Sequence, residues 1–391
     1  MKKISRVLLL NIASVVISVF ATENFVVDSF NIDTNIGRTE EGIGRDSHEE
    51  WRIGNRIPLV CQALKKSNET DLPNVIHLQE GRKFVTTFGD EVDSINPLVD
   101  FLEEQDYQVS TEQYNPSDRS FSYITALKRG YEVTEHKNIY FTKTPDKSTD
   151  HTNHKERLKE IKDHNFGEEW ERCFYVTEFE DNQGRVYRSN NVHLGIGLDH
   201  RKEACRMLQQ NAAQIAKDSP EVLQFYTGDF NTFPDWGGPE QLEIMKRDGV
   251  LQEVTENLTL RNGKPVTSTF IAFPVDFASN EKRLNEQSFQ ACGKNLIAVL
   301  AAMEPRIRRQ KINEIYAREC QSLGGHLDRV YQHGFEKSLA LLIPTPTFED
   351  FELDGFGEKY VKDYVVRHYE DGPAFASDHQ IVKSRLILPK K

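Results

Sequence analysis

The sequence predicts an α/β (α+β) chain in which a mixed β-sheet is covered by helices. Three observations carry that prediction. Short apolar, β-branched runs recur along most of the 391 residues. Between several of them lie segments with apolar residues at helical spacing. One pair of runs, "CFYVTEFE" and "YRSNNVHLGI", flanks the turn sequence "EDNQGR", where Gly184 can take a positive φ. Strands that alternate with helices and also form hairpins give a sheet with parallel and antiparallel neighbours.

In chain order the strand runs begin with "NFVVDSF", "NVIHLQE" and "SFSYITALKRG". After the hairpin pair come "VLQFYTGDF", "HLDRVYQ" and "IVKSRLIL". Helices are expected at "EEWRIGNRIPLVCQALKK", "INPLVDFLEEQ", "HRKEACRMLQQNAAQIAK" and "GPEQLEIMKRDG". Ahead of them, residues 1–21 read as an export signal. Lys2, Lys3 and Arg6 precede an apolar stretch from Val7 to Phe20, and "VFA" permits cleavage after Ala21. Asn11, Ser14 and Ser18 interrupt that stretch, and the competing reading is a core element or an uncleaved anchor. The remaining 22–391 is long enough for one large domain or two modest ones, exported to a secreted or periplasmic location, with no other run near the ~20 apolar residues of a membrane span.

Two regions read as insertions. Residues 143–170 are polar and carry His151, His154 and His164. Zinc ligation there competes with a solvated loop and helix, which the high charge and lack of flanking cysteine favour. Residues 279–325 read as helical, with an apolar stripe at Leu296, Leu300, Met303 and Ile307 that Pro305 breaks. Arg306, Arg308, Arg309 and Lys311 then form either a solvated face or a patch for a second phosphate.

A net charge of −12 opposes tight, non-specific coating of nucleic acid. It does not exclude a nuclease, since a divalent cation can offset the local field. Five cysteines, at 61, 173, 205, 292 and 320, show no zinc spacing and leave one or two disulfides open after export. Sequons stand at Asn68 and Asn257.

The chemistry-bearing residues cluster at strand ends. "FNID" carries Asn31 and Asp33, and "LQE" carries Glu80. "NVHL" carries His193, "GDFN" carries Asp229 and Asn231, "LDRV" carries Asp328 and Arg329, and "SDH" carries Asp378 and His379. Strand residues two apart share a face, so Asp229 and Asn231 should address one site. Taken singly, each has a plain reading as a turn, a cap or a satisfied histidine.

Taken in order, the six motifs resemble the endonuclease/exonuclease/phosphatase superfamily of DNase I-like phosphoesterases. The resemblance spans nearly everything from Phe25 to Leu388, including "TSTFIAF" ahead of "LDRV". It implies a four-layer sandwich: two mixed β-sheets packed face to face and flanked by helices. It also implies a Mg²⁺ (or Mn²⁺) phosphoesterase with Glu80 as principal metal ligand, Asn31 beside it and Asp378 close by. Asp229 would orient or deprotonate the attacking water, and Asn231 would donate to a phosphate oxygen. His379, its ring held by Asp328, would polarise the scissile phosphate, and His193 would contact phosphate or assist the leaving group. Asp33 becomes an outer-shell member and Arg329 an outer-shell or substrate residue.

Phosphate esters need such a site because their anionic oxygens repel hydroxide, which a divalent cation counters. Mg²⁺ favours a few carboxylates over Cys or paired His. The substrate class stays open among nucleic acid, phospholipid and inositol or sugar phosphate, with a slight preference for a nuclease or other phosphodiesterase. Departures from particular branches limit it further: Arg329 replaces a Tyr, "GDFNTFP" lacks a Tyr-Arg ending, and Ile271 and Ala272 replace His-Gly. No partner protein is indicated. A non-catalytic binding module on the same fold is the competing class, and the complete set of motif residues argues against it.

Overall fold

The computed structural model describes residues 24–32, 53–85, 91–113, 121–141, 172–195, 197–232, 238–260, 269, 327–343, 377 and 379–390. The expected signal, both insertions and the His151, His154 and His164 cluster lie outside the described residues. No described helix is long and apolar enough to cross a membrane.

Two mixed sheets form the centre. The first contains β1 (Asn24–Asn31), β2 (Val75–Val85), β3 (Glu91–Asp93), β4 (Tyr107–Gln113) and β5 (Phe121–Lys128). It also takes β11 (Thr259–Leu260), β13 (Lys337–Ile343) and β14 (Ile381–Ile387). Their order is β11-β13-β14-β1-β2-β5-β4, with β3 paired to β2. The second sheet runs β10-β12-β9-β8-β7-β6. Its members are β6 (Glu132–Tyr140), β7 (Cys173–Glu180), β8 (Val186–His193), β9 (Leu223–Asp229), β10 (Gln252–Glu253) and β12 (Asp328–His333). The pairs β1/β2, β8/β9 and β11/β13 are parallel, and the other pairs are antiparallel. The expected hairpin is β7/β8, closed by Gly184 at φ 75.

Alternation along each strand decides the layers. On β1, Phe25 and Val27 face the second sheet, where Phe25 stacks on Tyr187 with ring centroids 4.7 Å apart. Asp28 faces the opposite way, to helix α1 (Ile53–Thr70), where Ser67 Oγ donates to its Oδ2 at 2.6 Å. Helix α2 (Ile95–Glu104) starts against β2 at Gly81, where a Cβ would meet Ile124 at 3.3 Å and Ile95 at 3.4 Å. On the second sheet's outer face, Val192, Phe174 and Tyr226 pack against Ala204, Cys205 and Leu208 of α3 (Leu198–Asp218). Ile244 and Met245 of α4 (Gly238–Met245) complete that layer. The result is the expected four-layer sandwich. All four expected helices form, the first ending four residues later than its sequence pattern. Cys61, Cys173 and Cys205 are buried free thiols, and burial pushes Cys61 and Cys205 up to about 12.

Between the sheets His77 is fully buried, its Nδ1 2.5 Å from Thr227 Oγ1 and its Nε2 2.6 Å from Ser189 Oγ. Burial lowers its pKa from 6.5 to about 3. The unfolded chain therefore binds a proton below pH 6.5 that the folded chain refuses until about pH 3. The neutral histidine's contribution is complete above pH 6.5 and is lost as pH falls below it. Lowering pH from 7 to 5 should cost about 2 kcal/mol from this residue alone. Urea unfolding at both pH values, compared with His77→Gln, checks this; an equal loss in the variant contradicts it.

Candidate active site

The site forms where strands of both sheets end on one side of the sandwich. Asn31 closes β1, and Glu80 stands in a bulge of β2, where the register to β5 shifts between Leu78 and Gly81. The bulge places Glu80 at φ 65 and turns two successive side chains, Gln79 and Glu80, toward the second sheet. His193 ends β8 and Asp229 ends β9, paired side by side. That pairing explains the glycine of "GDFN": a Cβ on Gly228 would lie 1.8 Å from Val192 O, and its φ is 144. Asn231 takes φ 51, a left-handed conformation that asparagine tolerates.

The side chains converge. Asn31 Nδ2 donates to Glu80 Oε1 and to Asp229 Oδ2, both at 3.1 Å. His193 Nε2 is 3.5 Å from Glu80 Oε1 and 3.6 Å from Asp229 Oδ2. His379 Nε2 lies 3.7 Å from Asp229 Oδ2, while its Nδ1 is 2.9 Å from Asp328 Oδ2. Glu80 and Asp229 are only 5% and 2% exposed, so two acids are held close together away from water. Burial is the main reason that Asp229 is raised from 3.8 to about 6; His379 opposes the rise, while Asp328 and Glu80 add to it. Buried like charges of this kind call for a cation. Candidate ligand atoms of Glu80, His193 and Asp229 lie within 4.8 Å of one another and could hold a metal ion.

Some expectations are placed differently. Asn231 directs Nδ2 to Leu194 O at 2.7 Å and its backbone N–H to Asp229 Oδ1 at 2.8 Å, so it braces the site as well as facing it. Arg329 turns away from the carboxylates: Nε donates to Thr232 Oγ1 at 3.0 Å and Nη1 to Glu253 Oε1 at 2.6 Å. That makes it a support for the chain after Asn231. Its charge is drawn to Glu253 because a buried guanidinium requires an anionic partner. His193 joins the carboxylate cluster directly. Asp33 and Asp378 lie outside the described residues.

Supporting residues emerge to which the motifs gave no role, two of them, Thr269 and Ser377, inside the quoted "TSTFIAF" and "SDH" stretches. Thr269 Oγ1 accepts from the backbone N–H of Leu327 and Asp328 at 3.1 and 3.0 Å, fixing the start of β12. Ser377 Oγ donates to Asn31 O at 2.7 Å and accepts from His379 N–H at 3.1 Å, tying the "SDH" segment to β1. Arg201, at the start of α3, donates to Asn231 O. Arg82 lies 4.2 Å over the Phe121 ring, with Nη2 3.7 Å from Glu80 Oε2. Their nearness in sequence to site residues was the available signal for Ser377 and Arg82; for Arg201 there was none.

No protein-family model matches the chain. No curated protein matches it either. Solved structures do. An endonuclease/exonuclease/phosphatase family protein from Bacteroides thetaiotaomicron aligns at TM-score 0.53 and 15% identity, over 95% of this chain and 100% of its own. A functionally unknown conserved protein from Enterococcus faecalis aligns at TM-score 0.53 and 13% identity, over 93% and 100%. Truncated Caenorhabditis elegans TDP2 aligns at TM-score 0.50 and 15% identity, over 93% and 97%. The chain thus has the fold of the endonuclease/exonuclease/phosphatase, or DNase I-like, superfamily. Its carboxylate–histidine site stands at the strand ends of both sheets.

Proposed function

We propose that the protein is a metal-dependent phosphoesterase that cleaves a phosphodiester by direct in-line attack of water. The observation that supports this reading is the meeting, at one buried point, of Glu80, Asp229, Asn31, His193 and the His379–Asp328 couple. Oxygen donors from two carboxylates suit Mg²⁺ or Mn²⁺. Glu80 would be the principal ligand, His193 and Asp229 would line the same space, and Asn31 and Asp378 would stand alongside. When bound, the cation offsets the phosphate's charge and polarises phosphorus.

The chain's own groups supply the rest. Asp229 takes the proton of the attacking water as its oxygen bonds to phosphorus. His379, oriented by Asp328, donates to a phosphate oxygen, and Asn231 binds another through its second amide hydrogen. The bond to the leaving oxygen breaks on the opposite side, and His193 serves that oxygen. Positioning and charge stabilisation carry most of the acceleration. Asp33 and Arg329 act behind this set.

The charge balance favours a diester. A monoester dianion asks for more positive charge than a diester monoanion. Among the described residues, Arg82 is the permanently charged cation paired with Glu80, while Arg329 is engaged by Glu253. The export reading rests on the N-terminal sequence alone. In Mg²⁺, the full chain should turn over plasmid DNA, RNA or sphingomyelin faster than inositol or sugar monophosphates. The reverse preference would move the assignment to a monoesterase.

A further inference from the structure

The site is divided between the sheets. Asn31 and Glu80 come from the first and His379 from the segment leading into it; His193, Asp229 and Asp328 come from the second. Every distance across that divide depends on the gap between sheets. Farthest from the site the gap is filled by the apolar cluster of Phe25, Tyr187 and Phe225, and one step nearer His77 bridges it to Thr227 and Ser189. Directly beneath the site it is polar.

Gln79 Nε2 donates to Asn191 Oδ1 at 2.7 Å, and Asn191 Nδ2 donates to Leu78 O and Ile124 O at 3.2 and 3.3 Å. Both side chains are fully buried. Gln79 adjoins Glu80, and Asn191 lies two residues before His193 on the same face of β8. Stability does not explain this pair. Among the described residues Gln79 Oε1 is buried without a protein donor, which costs about 1–3 kcal/mol and offsets what the Gln79–Asn191 hydrogen bond returns. What an amide pair adds is a fixed length and direction, since hydrogen bonds weaken steeply with misalignment.

We infer that the Gln79–Asn191 bridge is the positioning element that sets the separation of Glu80 from His193 and Asp229, and with it the cation affinity of the site. The inference rests on the metal-dependent reading above. Outer residues that orient metal ligands typically change affinity by about 10–100-fold when replaced.

The test uses Mn²⁺ alone, its binding to the full chain followed by electron paramagnetic resonance, beside urea unfolding of the same samples. Two variants are needed, Gln79→Met and the double variant Gln79→Met/Asn191→Leu. The single variant exchanges one orphaned oxygen for another, so it should stay folded; the double variant removes both side-chain amides. Mn²⁺ binding should weaken about 10–100-fold in each; the single variant's urea midpoint should stay close to that of the unaltered protein, while the double variant, which strands Leu78 O and Ile124 O, is read for affinity alone. If the double variant does not fold, the single variant decides. Unchanged Mn²⁺ affinity in a folded variant overturns the inference alone. No Mn²⁺ binding by the unaltered protein overturns the metal reading, and the inference with it.

Discussion

Replacing Asp229 with Ala should lower kcat for metal-dependent cleavage by about 10²–10⁴-fold, the range for a positioned acid–base group. Asp229 is the hub of the site: Asn31, His193, His379 and the N–H of Asn231 all approach its carboxylate. Its removal takes away the proton acceptor and one side of the cation cluster together. The loss should come without a loss of stability. The folded-state pKa of Asp229, about 6, is above its ordinary 3.8, so ionisation opposes folding as pH rises through that window and fully above it. Melting curves of the metal-free variant at pH 7.5 should therefore be no lower than those of the unaltered protein. A near-normal kcat in the variant removes Asp229 from the mechanism.

The second large effect lies on the outer face of the first sheet. Lys383→Met should destabilise the protein by about 3–5 kcal/mol, the cost of stranding a buried charge. Lys383 Nζ is 2.9 Å from Asp28 Oδ1, and neither side chain is exposed to solvent. The ammonium also donates to Asp71 O at 2.6 Å, joining β14 to the end of α1. Burial raises the Asp28 pKa even with the lysine present, and Lys383 is the cation that offsets that burial among the described residues. The double variant Asp28→Asn/Lys383→Met should recover part of the loss, which chemical denaturation would measure. A single-variant loss no larger than the double's would show that the stranded Asp28 carboxylate is not the source of the cost.

The chain order of the site was readable because each motif pairs a strand signal with a terminal polar residue, and the six occur in one sequence order. Layering was readable where alternation was clean, as on β1. The bulge of β2 was not: alternation puts Gln79 and Glu80 on opposite faces, and the reversal depends on pairing with β5. The bracing role of Arg329 was hidden for a similar reason, since its partner Glu253 lies 76 residues earlier and only the fold brings them together. β4 and β6 are edge strands, with burial mixed along β4 and little on β6, so their sequences lack the apolar signal of the central strands. The His379–Asp328 couple spans 51 residues, and only the resemblance foretold it.

The most direct measurement is the rate of bis(4-nitrophenyl) phosphate hydrolysis by the full chain in Mg²⁺, in EDTA and as His379→Ala. Hydrolysis that requires Mg²⁺ and falls by about 10²–10⁴-fold in the variant is the predicted result. Hydrolysis that persists in EDTA, or that the variant retains, would contradict a metal-dependent site built on Glu80, Asp229 and His379.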